Sequence, residues 1–380
     1  MKNICIWGTS LTKVADEAQV ISFIKIINDR YPGSGITLFS KFGSLLLELF
    51  KEDGFKLNVV RTLNIPGVIF RLYKSDIFIF IGGPFYEQFR QALVCWGLLS
   101  ICKLFHKPVI SYAATAFHFR TWWGKRIYKN IFNRMDAITV REPVGRETIK
   151  ELNIKKEVEI FADPRFLLTP LCKSDVEKIL QKEKINFSRP YICITTRFMH
   201  DKIPAWVKKS HNYTSQKNYE SNNSISEVVS YLSERFQVIL IPMHPRYEED
   251  EKMAEILKRR MKNPEKLILL SGRYRAKEII SIIKYAEMIL ASRLGSAVFA
   301  TVVSTPIIAV SYEPRMKEFM NRCNLQDYVF DWRELSFEKI KRAVDKVLSE
   351  KEITIKILEE NAVSFKEKAL LNSELIADFI

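Results

Sequence analysis

The sequence lacks the short motifs that identify several large enzyme classes. It has no Gly-x-Ser-x-Gly elbow, so a serine hydrolase built on that turn is not expected. It has neither a P-loop nor a Gly-x-Gly-x-x-Gly fingerprint, the backbone cradles that bind nucleotide phosphates. No set of His, Cys and Asp residues has the spacing of metal ligands, so we predict no metal site.

Targeting segments and long apolar runs are also missing. The start, M-K-N-I-C-I-W-G, leads directly into a predicted strand, so we expect no signal peptide. The most apolar helical run, 92–105, is too short to span a bilayer and is interpreted as a core helix. The six cysteines lie mostly in apolar segments, which predicts reduced core residues in a cytoplasmic protein.

The chain carries few acidic residues for its number of basic ones. Its 59 Lys and Arg residues against 44 Asp and Glu give a formal net charge of +15. Such a surplus favours anionic partners: phosphorylated metabolites, acidic glycans, a membrane surface or nucleic acid. The basic residues are dispersed and form no run interleaved with aromatics, so we predict no nucleic-acid partner. Peripheral contact with the inner face of a membrane stays open, because the substrate could be lipid-linked.

The apolar pattern predicts an α/β protein with two Rossmann-like, doubly wound domains, because 380 residues exceed one ordinary core. Apolar runs without alternation suit parallel strands that are covered on both faces. Strands are predicted at 3–8, 35–39, 57–60, 76–81, 108–112, 136–140 and 158–161, and again at 191–195, 238–241, 267–270, 288–291 and 307–310. Helices are predicted at 14–30, 41–53, 92–105, 122–133, 337–348 and 353–379.

The domain boundaries follow from this pattern. We predict an N-terminal domain at 1–172, a linker at 173–190, a C-terminal domain at 191–352 and a long C-terminal helix at 353–380. A polar stretch at 197–224 separates the first two strands of the second domain. Loops of this length inside compact domains are typically functional or disordered, so we interpret it as such a loop.

Five residues of the first half are candidates for lining a cleft. Gly82 and Gly83 follow a buried strand, where glycine permits close approach to a ligand or simply a tight turn. Asp16 lies in the first turn of a helix, where a carboxylate also favours the helix dipole without any ligand. Asp163 precedes a proline and is equally compatible with an ordinary turn. His118 completes the set.

The second half brings three basic side chains to the ends of predicted strands. Arg293 follows the strand 288–291 just before a small-residue helix, whose N-terminal amides can hold an anion. Arg197 follows the first strand and His244 the second. The carboxyl ends of parallel strands share one edge of a sheet, where ligands bind. Two arginines suit a phosphate and a carboxylate, and His244 is either a proton-transfer group or a structural residue.

Seven short motifs occur in an order that is similar to a known family. They are Asp16-Glu17-Ala18, Gly82-Gly83, I-T-V-R-E-P at 138–143, A-D-P-R-F at 162–166, I-P-M-H at 241–244, S-R-L at 292–294 and P-I-I-A-V-S-Y-E-P-R at 306–315. By these motifs the chain resembles the polysaccharide pyruvyl transferase family over nearly its whole length.

The resemblance implies a GT-B-like fold and transfer of the enolpyruvyl unit of phosphoenolpyruvate to a sugar, usually as a ketal. It implies that Arg197 and Arg293 bind the donor, with Leu294 and Gly295 beside them. The expected partners are phosphoenolpyruvate and a glycan or lipid-linked saccharide, as in exopolysaccharide or cell-wall synthesis. No cofactor beyond the donor substrate is expected.

The chain departs from the family at the position of the presumed proton donor. The family has Arg-Leu-His, but the third residue here is Gly295, which cannot transfer a proton. His244 is the first substitute, and Glu313 or Tyr312 the next. Two alternatives stay open: a GT-B glycosyltransferase that uses a nucleotide sugar, and a catalytically silent homologue that binds a glycan. The acceptor sugar and the oligomeric state do not follow from the sequence.

Overall fold

A computed structural model describes residues 2–8, 13–40, 57–83, 85–116, 118–196, 215–243 and 249–379. Its first sheet consists of parallel strands, most of them buried at all or all but one of their positions, as their uninterrupted apolar runs predict. The strands are β1 (Asn3–Trp7), β2 (Gly35–Ser40), β3 (Leu57–Arg61), β4 (Ile77–Ile81), β5 (Val109–Ala114), β6 (Ala137–Val140) and β7 (Glu159–Ile160). They pair in the order β3-β2-β1-β4-β5-β6-β7.

Helices connect these strands in an α/β series. They are α1 (Val14–Arg30), α2 (Ile65–Lys74), α3 (Phe89–Leu104), α4 (Trp122–Arg134) and α5 (Pro143–Lys150). The start of α2 is set by Asn64, whose side chain accepts from the amide of Gly67, and that of α4 by Thr121, which accepts from Gly124. The sequence analysis missed α2, and the predicted helix 41–53 lies outside the described residues.

The second sheet is also parallel. Its strands are β8 (Tyr191–Thr195), β9 (Gln237–Leu240), β10 (Leu267–Leu269), β11 (Ile289–Ala291), β12 (Ile307–Ser311) and β13 (Val329–Asp331), in the order β10-β9-β8-β11-β12-β13. The helices are α6 (Lys173–Lys182), α7 (Ser215–Ser233), α8 (Glu249–Lys258), α9 (Ala276–Lys284), α10 (Leu294–Val302), α11 (Pro314–Arg322), α12 (Phe337–Ser349) and α13 (Lys351–Ala377).

The polar stretch 197–224 is not a loop throughout, because α7 begins at Ser215. The helix was not predicted because its sequence is polar and lacks an apolar stripe. Its inward side instead carries small polar groups that have tertiary partners. Ser221 is buried and donates to the carbonyl of Trp332, and Ser224 donates to the carbonyl of Leu335. The part from 197 to 214 lies outside the described residues. The edge strand β13 was also missed, since V-F-D is too short to give an apolar run.

Contacts divide the described residues into two compact units. The first contains Met1–Leu11, Asp16–Leu167 and Ser364–Ile380, and the second contains Thr12–Ala15 and Leu168–Val363. The segment 173–190, predicted as a linker, belongs to the second unit. There Glu183 accepts hydrogen bonds from the amides of Ser271 and Gly272 and from the hydroxyl of Tyr274.

The cores of both units are built from aliphatic and aromatic side chains. Five of the six cysteines are buried, as predicted, and Cys172 is exposed. Burial raises the pKa of Cys5 to about 12. Among the residues that the structure describes, no helix has both the length and the apolar character needed to cross a bilayer.

Candidate functional site

Each sheet has one point where the strand order reverses, and a predicted site residue follows a strand at each of these points. In the first sheet this point lies between β1 and β4, and in the second between β8 and β11. Helices leave such neighbouring strands toward opposite faces, which opens a crevice at their carboxyl ends, where α/β proteins bind ligands. Gly82 follows β4, and Arg293 follows β11 two residues after Ala291.

Arg293 is held in one orientation by its own unit. Its Nε donates to the carbonyl of Thr196 at 2.8 Å, and its Nη2 donates to Oδ1 of Asp250 at 2.8 Å. Asp250 is buried, and its Oδ2 accepts from the amide of Met243 at 3.1 Å. Two of the three guanidinium nitrogens are thus engaged. The remaining Nη1 is the group that can meet a ligand.

The predicted donor-binding residues Leu294 and Gly295 form the first turn of α10, directly after Arg293. First-turn amides have no acceptor within their own helix, and they carry the positive end of its dipole. The carbonyl of Arg293 accepts from the amide of Ser296 at 3.0 Å, so the turn is well formed. A largely buried arginine and two such amides therefore lie within one short stretch of chain.

Hydroxyl groups line the same switch point. The hydroxyls of Thr195 and Ser296 lie 2.7 Å apart, which ties β8 to the first turn of α10. The hydroxyl oxygen of Thr196 is buried and has no hydrogen-bond partner within the described part of the chain. Such an atom at a strand end usually meets water or a ligand. It lies on the residue whose carbonyl already orients Arg293.

Tyr312 and Glu313 leave β12 at the same edge of the second sheet. Tyr312 is buried and stacks on Trp332, with ring centroids 5.7 Å apart and planes inclined by 12°. Glu313 forms an ion pair with Arg315 at 2.8 Å, and its carbonyl accepts from the hydroxyl of Ser311. Both predicted proton donors are therefore held in place.

Arg197 and His244 lie outside the described residues, but the residues before them do not. The carbonyl of Thr196 binds Arg293, and the amide of Met243 binds Asp250. The residue that precedes each of these two positions therefore contacts the Arg293–Asp250 pair. Their predicted roles stay predictions.

In the first unit, glycines shape the switch point. Gly8 has φ +140°, and a Cβ there would lie 2.3 Å from the carbonyl oxygen of Ile81, so only glycine fits. Gly82 has φ +79°, a value that also favours glycine. Its carbonyl accepts from the amide of Thr115 at 2.8 Å. Gly83 is under no such restriction, since a Cβ there would make only an ordinary contact with Thr115.

Asp163, after β7, is the centre of a buried ionic network. Arg165 donates to both carboxylate oxygens, from Nε at 2.9 Å and from Nη2 at 2.6 Å. Arg141, which follows β6, donates from Nη1 at 3.0 Å, and the Gln19 amide lies 3.4 Å away. The prediction of an ordinary turn at Asp163 does not account for these long-range partners.

The network keeps Asp163 ionised in spite of its burial. Burial would raise the pKa of this carboxyl, but the charges of Arg165 and Arg141 and the hydrogen bonds of Arg165 hold it well below its usual range. For Arg165, burial acts in the other direction and would lower the pKa. The negative charges of Asp163, Asp16 and Glu142 outweigh burial and raise the pKa of Arg165. Asp16 and Asp163, both predicted to line a cleft, are thus brought to the same guanidinium.

His118 is not part of this network. Its side chain is exposed, and its Nδ1 lies 3.8 Å from Glu151, the residue that ends α5. The loop position of His118 in the sequence gave no information about which side of the sheet it would occupy.

The sequence analysis assigned no site role to four residues that shape the two sites. Arg141, Arg165 and Gln19 surround Asp163, and Asp250 orients Arg293. The D-P-R spacing at 163–165 was a usable signal, because an arginine two residues after a carboxylate can fold back on it. No comparable signal links Gln19 to Asp163, which is 144 residues away. Among the described residues, no group of three or more His, Cys, Asp or Glu is arranged to hold a metal ion.

Two Rossmann-like units, each with polar residues at its switch point, define the fold class of GT-B transferases. Solved structures of that class match this chain. A glycosyltransferase from Rickettsia africae is 14% identical, with a TM-score of 0.65 and 100% and 98% of the two chains covered. Anabaena HepE, solved in complex with UDP, is 10% identical, with a TM-score of 0.64 and 100% and 99% coverage. At these identities the likeness concerns the fold.

The sequence match is more specific. The model of the polysaccharide pyruvyl transferase family matches residues 16–314, so the chain belongs to that family. The amylovoran biosynthesis protein AmsJ of Erwinia amylovora is similar as well, 22% identical over 344 residues that cover 88% of this chain and 80% of AmsJ. The family is one of transferases, and both matches support a role in the modification of a polysaccharide.

Proposed function

We propose that the protein transfers a pyruvyl group from phosphoenolpyruvate to a sugar of a surface polysaccharide or cell-wall glycan precursor, in the cytoplasm. The observation that carries the proposal is the fixed guanidinium of Arg293 at the start of α10. Family membership supplies the class of reaction. AmsJ, a protein of amylovoran biosynthesis, supports a polysaccharide as the destination.

The donor explains why a fixed arginine is useful. Phosphoenolpyruvate carries a phosphate and a carboxylate, and guanidinium groups bind both in a planar, bidentate manner. Arg293 Nη1 and the amides of Leu294 and Gly295 form a site for one of these anions. Arg197 is the proposed partner for the other. Because Asp250 and Thr196 already orient Arg293, little side-chain freedom is lost when the donor binds.

The reaction needs one proton donor and two sugar hydroxyls. The first hydroxyl adds to C2 of the enol and gives up its proton, while C3 takes up a proton from the donor, which converts the methylene to a methyl group. The bond from C2 to the phosphate oxygen then breaks, and inorganic phosphate leaves. A second hydroxyl of the same sugar closes on C2 and loses its proton, which gives the ketal. His244 is the first candidate for the donor of the C3 proton, followed by Glu313 and Tyr312.

The proposal is tested by ligand binding and by phosphate release. Phosphoenolpyruvate at a hundred times its dissociation constant stabilises the folded state by about 2.7 kcal/mol, a readily measured shift in melting temperature. Arg293→Lys keeps the charge but loses the Nη1 donor that Thr196 and Asp250 hold in position, so it should reduce this shift. Arg259→Ala changes an exposed arginine on the same unit and should leave it unchanged. An unchanged shift in Arg293→Lys would contradict the assignment of the donor site.

A nucleotide-sugar glycosyltransferase is the second candidate. It is favoured by the fold shared with HepE, which was solved with UDP. Under this alternative, UDP or a UDP-sugar raises the melting temperature and phosphoenolpyruvate does not. Running both ligands on one plate separates the two functions.

A further inference from the structure

Three helices of the first unit form a surface without a single carboxylate. The helices α2, α3 and α4 pack side by side, and none of them contains Asp or Glu. Across residues 57–136, which include these helices, eleven Lys and Arg residues stand against three acidic ones. More than half of the formal net charge of +15 therefore comes from about a fifth of the chain.

The three acidic residues of this stretch are engaged in hydrogen bonds within the protein. Asp76, Glu87 and Asp136 each accept from a backbone amide, at 2.7, 2.7 and 2.6 Å. Asp136 also pairs with Lys103. Meanwhile Arg90, Lys125, Arg126 and Lys129 are exposed on α3 and α4. The outward field of this surface is accordingly positive.

The same surface exposes large apolar side chains. On α3, Ala92, Cys95 and Leu99 are buried, whereas the adjoining side carries Phe89, exposed by 55%, and Trp96, exposed by 45%. A helix that is apolar on all sides is normally covered on all sides, but α3 is covered on one. The interpretation of 92–105 as a core helix holds only for that inner face. Further exposed residues of this kind are Phe70, Tyr73, Leu93, Leu104 and Trp122.

Local contacts hold these side chains in place. The ring of Phe89 meets that of Trp123 edge-on, with centroids 5.4 Å apart, and Tyr73 meets Phe105 in the same way at 5.4 Å. Glu87 accepts from the amides of Arg120 and Thr121, which fixes the start of α4 beside Phe89. The apolar surface is therefore preformed.

We propose that this basic apolar surface, formed by the outer sides of α2, α3 and α4, docks on an anionic phospholipid bilayer. Tryptophan, tyrosine and phenylalanine favour the boundary between headgroups and acyl chains, and lysine and arginine around them favour anionic headgroups. The lack of free carboxylates suits a surface of uniform negative charge better than a protein of mixed charge. Docking is independent of the reaction proposed above, and its test measures binding to vesicles.

The test is co-sedimentation of the full chain with vesicles. Vesicles of phosphatidylcholine with about a third phosphatidylglycerol should bind the protein, and vesicles of phosphatidylcholine alone should not. Binding should fall as the salt concentration rises, because headgroup attraction is screened. Binding to neither kind of vesicle would overturn the proposal.

Matched variants locate the contact. Arg126→Ala/Lys129→Ala should lower the partition coefficient on anionic vesicles about tenfold or more, since each basic residue near such a surface contributes appreciably. Lys258→Ala/Arg259→Ala removes two exposed charges at the C-terminal end of α8 in the second unit and should have little effect. If both double variants lost vesicle binding equally, the net charge of the protein alone would explain the attraction. That result would contradict a defined docking surface.

The apolar part is tested by Trp122→Ser, a change at a side chain that is 78% exposed. It should weaken vesicle binding while the melting temperature stays within a few degrees of that of the parent chain. Ile353→Ser on α13, at 61% exposure, is the control and should bind normally. If sedimentation velocity instead shows a dimer that Trp122→Ser dissociates, the occupant is a second copy of the chain and the bilayer proposal is wrong.

Discussion

Asp250 holds Arg293 from a position 43 residues earlier in the chain, through a hydrogen bond of 2.8 Å. The aspartate comes from the start of α8 and the arginine from the turn before α10, so two separate connections meet at one switch point. The other carboxylate oxygen takes up the amide of Met243. The guanidinium that we assign to donor binding is thus positioned by a residue that need not touch the donor.

We expect Asp250→Ala to lower the free energy of unfolding by about 2–4 kcal/mol. It leaves the amide of Met243 and a largely buried guanidinium without their acceptor. The affinity for phosphoenolpyruvate should fall in the same variant, because Arg293 loses its orientation. Urea unfolding and melting shifts measure the two effects.

The matched control for Asp250→Ala is Asp175→Ala. Asp175 is paired with Lys178 on an exposed turn of α6, and its loss should change neither quantity appreciably. Normal stability in Asp250→Ala would show that the buried pair is not important for the fold.

Asp163→Asn should destabilise the protein at neutral pH by about 3 kcal/mol, since two buried arginines lose their counter-charge. The pKa of Asp163 is lowered in the folded state, so its contribution is fully present above the unfolded pKa of about 4. The contribution is lost as the pH falls through the lower folded pKa.

The difference in unfolding free energy between the parent chain and Asp163→Asn should therefore be constant from pH 7 to 5 and shrink below about pH 4. Urea unfolding at a series of pH values measures it. A difference that persisted undiminished to the most acidic conditions would argue against an ionised Asp163.

Two glycines of the first unit should respond to alanine in opposite directions. Gly8→Ala places a Cβ 2.3 Å from the Ile81 carbonyl at φ +140° and should cost about 2–3 kcal/mol. Gly97→Ala meets nothing within 4 Å in the middle of α3 and should stabilise by about 0.5–1 kcal/mol. Thermal unfolding of the pair is the measurement, and equal shifts would contradict the strained geometry at Gly8.

Gly295→His tests whether catalysis has been lost at the position of the family's histidine. Gly295 is the second residue of α10, next to Arg293, and a glycine there cannot transfer a proton. If the parent chain is silent, the variant should gain phosphate release from phosphoenolpyruvate in the presence of an acceptor.

A parent chain that is already active without this histidine would instead point to His244, Glu313 or Tyr312. Individual His244→Gln, Glu313→Gln and Tyr312→Phe variants would then identify the proton donor by loss of turnover with retained donor binding.

The sequence predicts the fold well wherever burial alone decides the structure. Ile77–Ile81 is apolar at every position and fully buried, so its pattern is unmistakable. Val329–Asp331 has three half-buried residues at a sheet edge, and its strand conformation comes from pairing with β12. In α7, polar residues such as Ser221 find tertiary partners that no local pattern reveals.

In the sites as well, local sequence patterns predict some features, whereas others depend on tertiary contacts. The position of Arg293 between a strand end and a helix start was predictable, because both elements adjoin it in the chain. Its orientation by Asp250 was not, since that contact depends on where α8 begins in three dimensions. The network around Asp163 likewise requires residues from α1, β6 and the turn after β7, whose proximity is a product of the folded sheet.

The last helix also affects the order in which the chain can fold. Asn372, near the end of α13, is buried; it accepts from the hydroxyl of Thr139 on β6 and donates to the carbonyl of Ala162. The first unit therefore contains a residue that the ribosome adds more than two hundred positions after β7. A nascent chain therefore cannot complete this unit before Asn372 has left the ribosome, and a fragment that ends after β7 should expose part of its sheet.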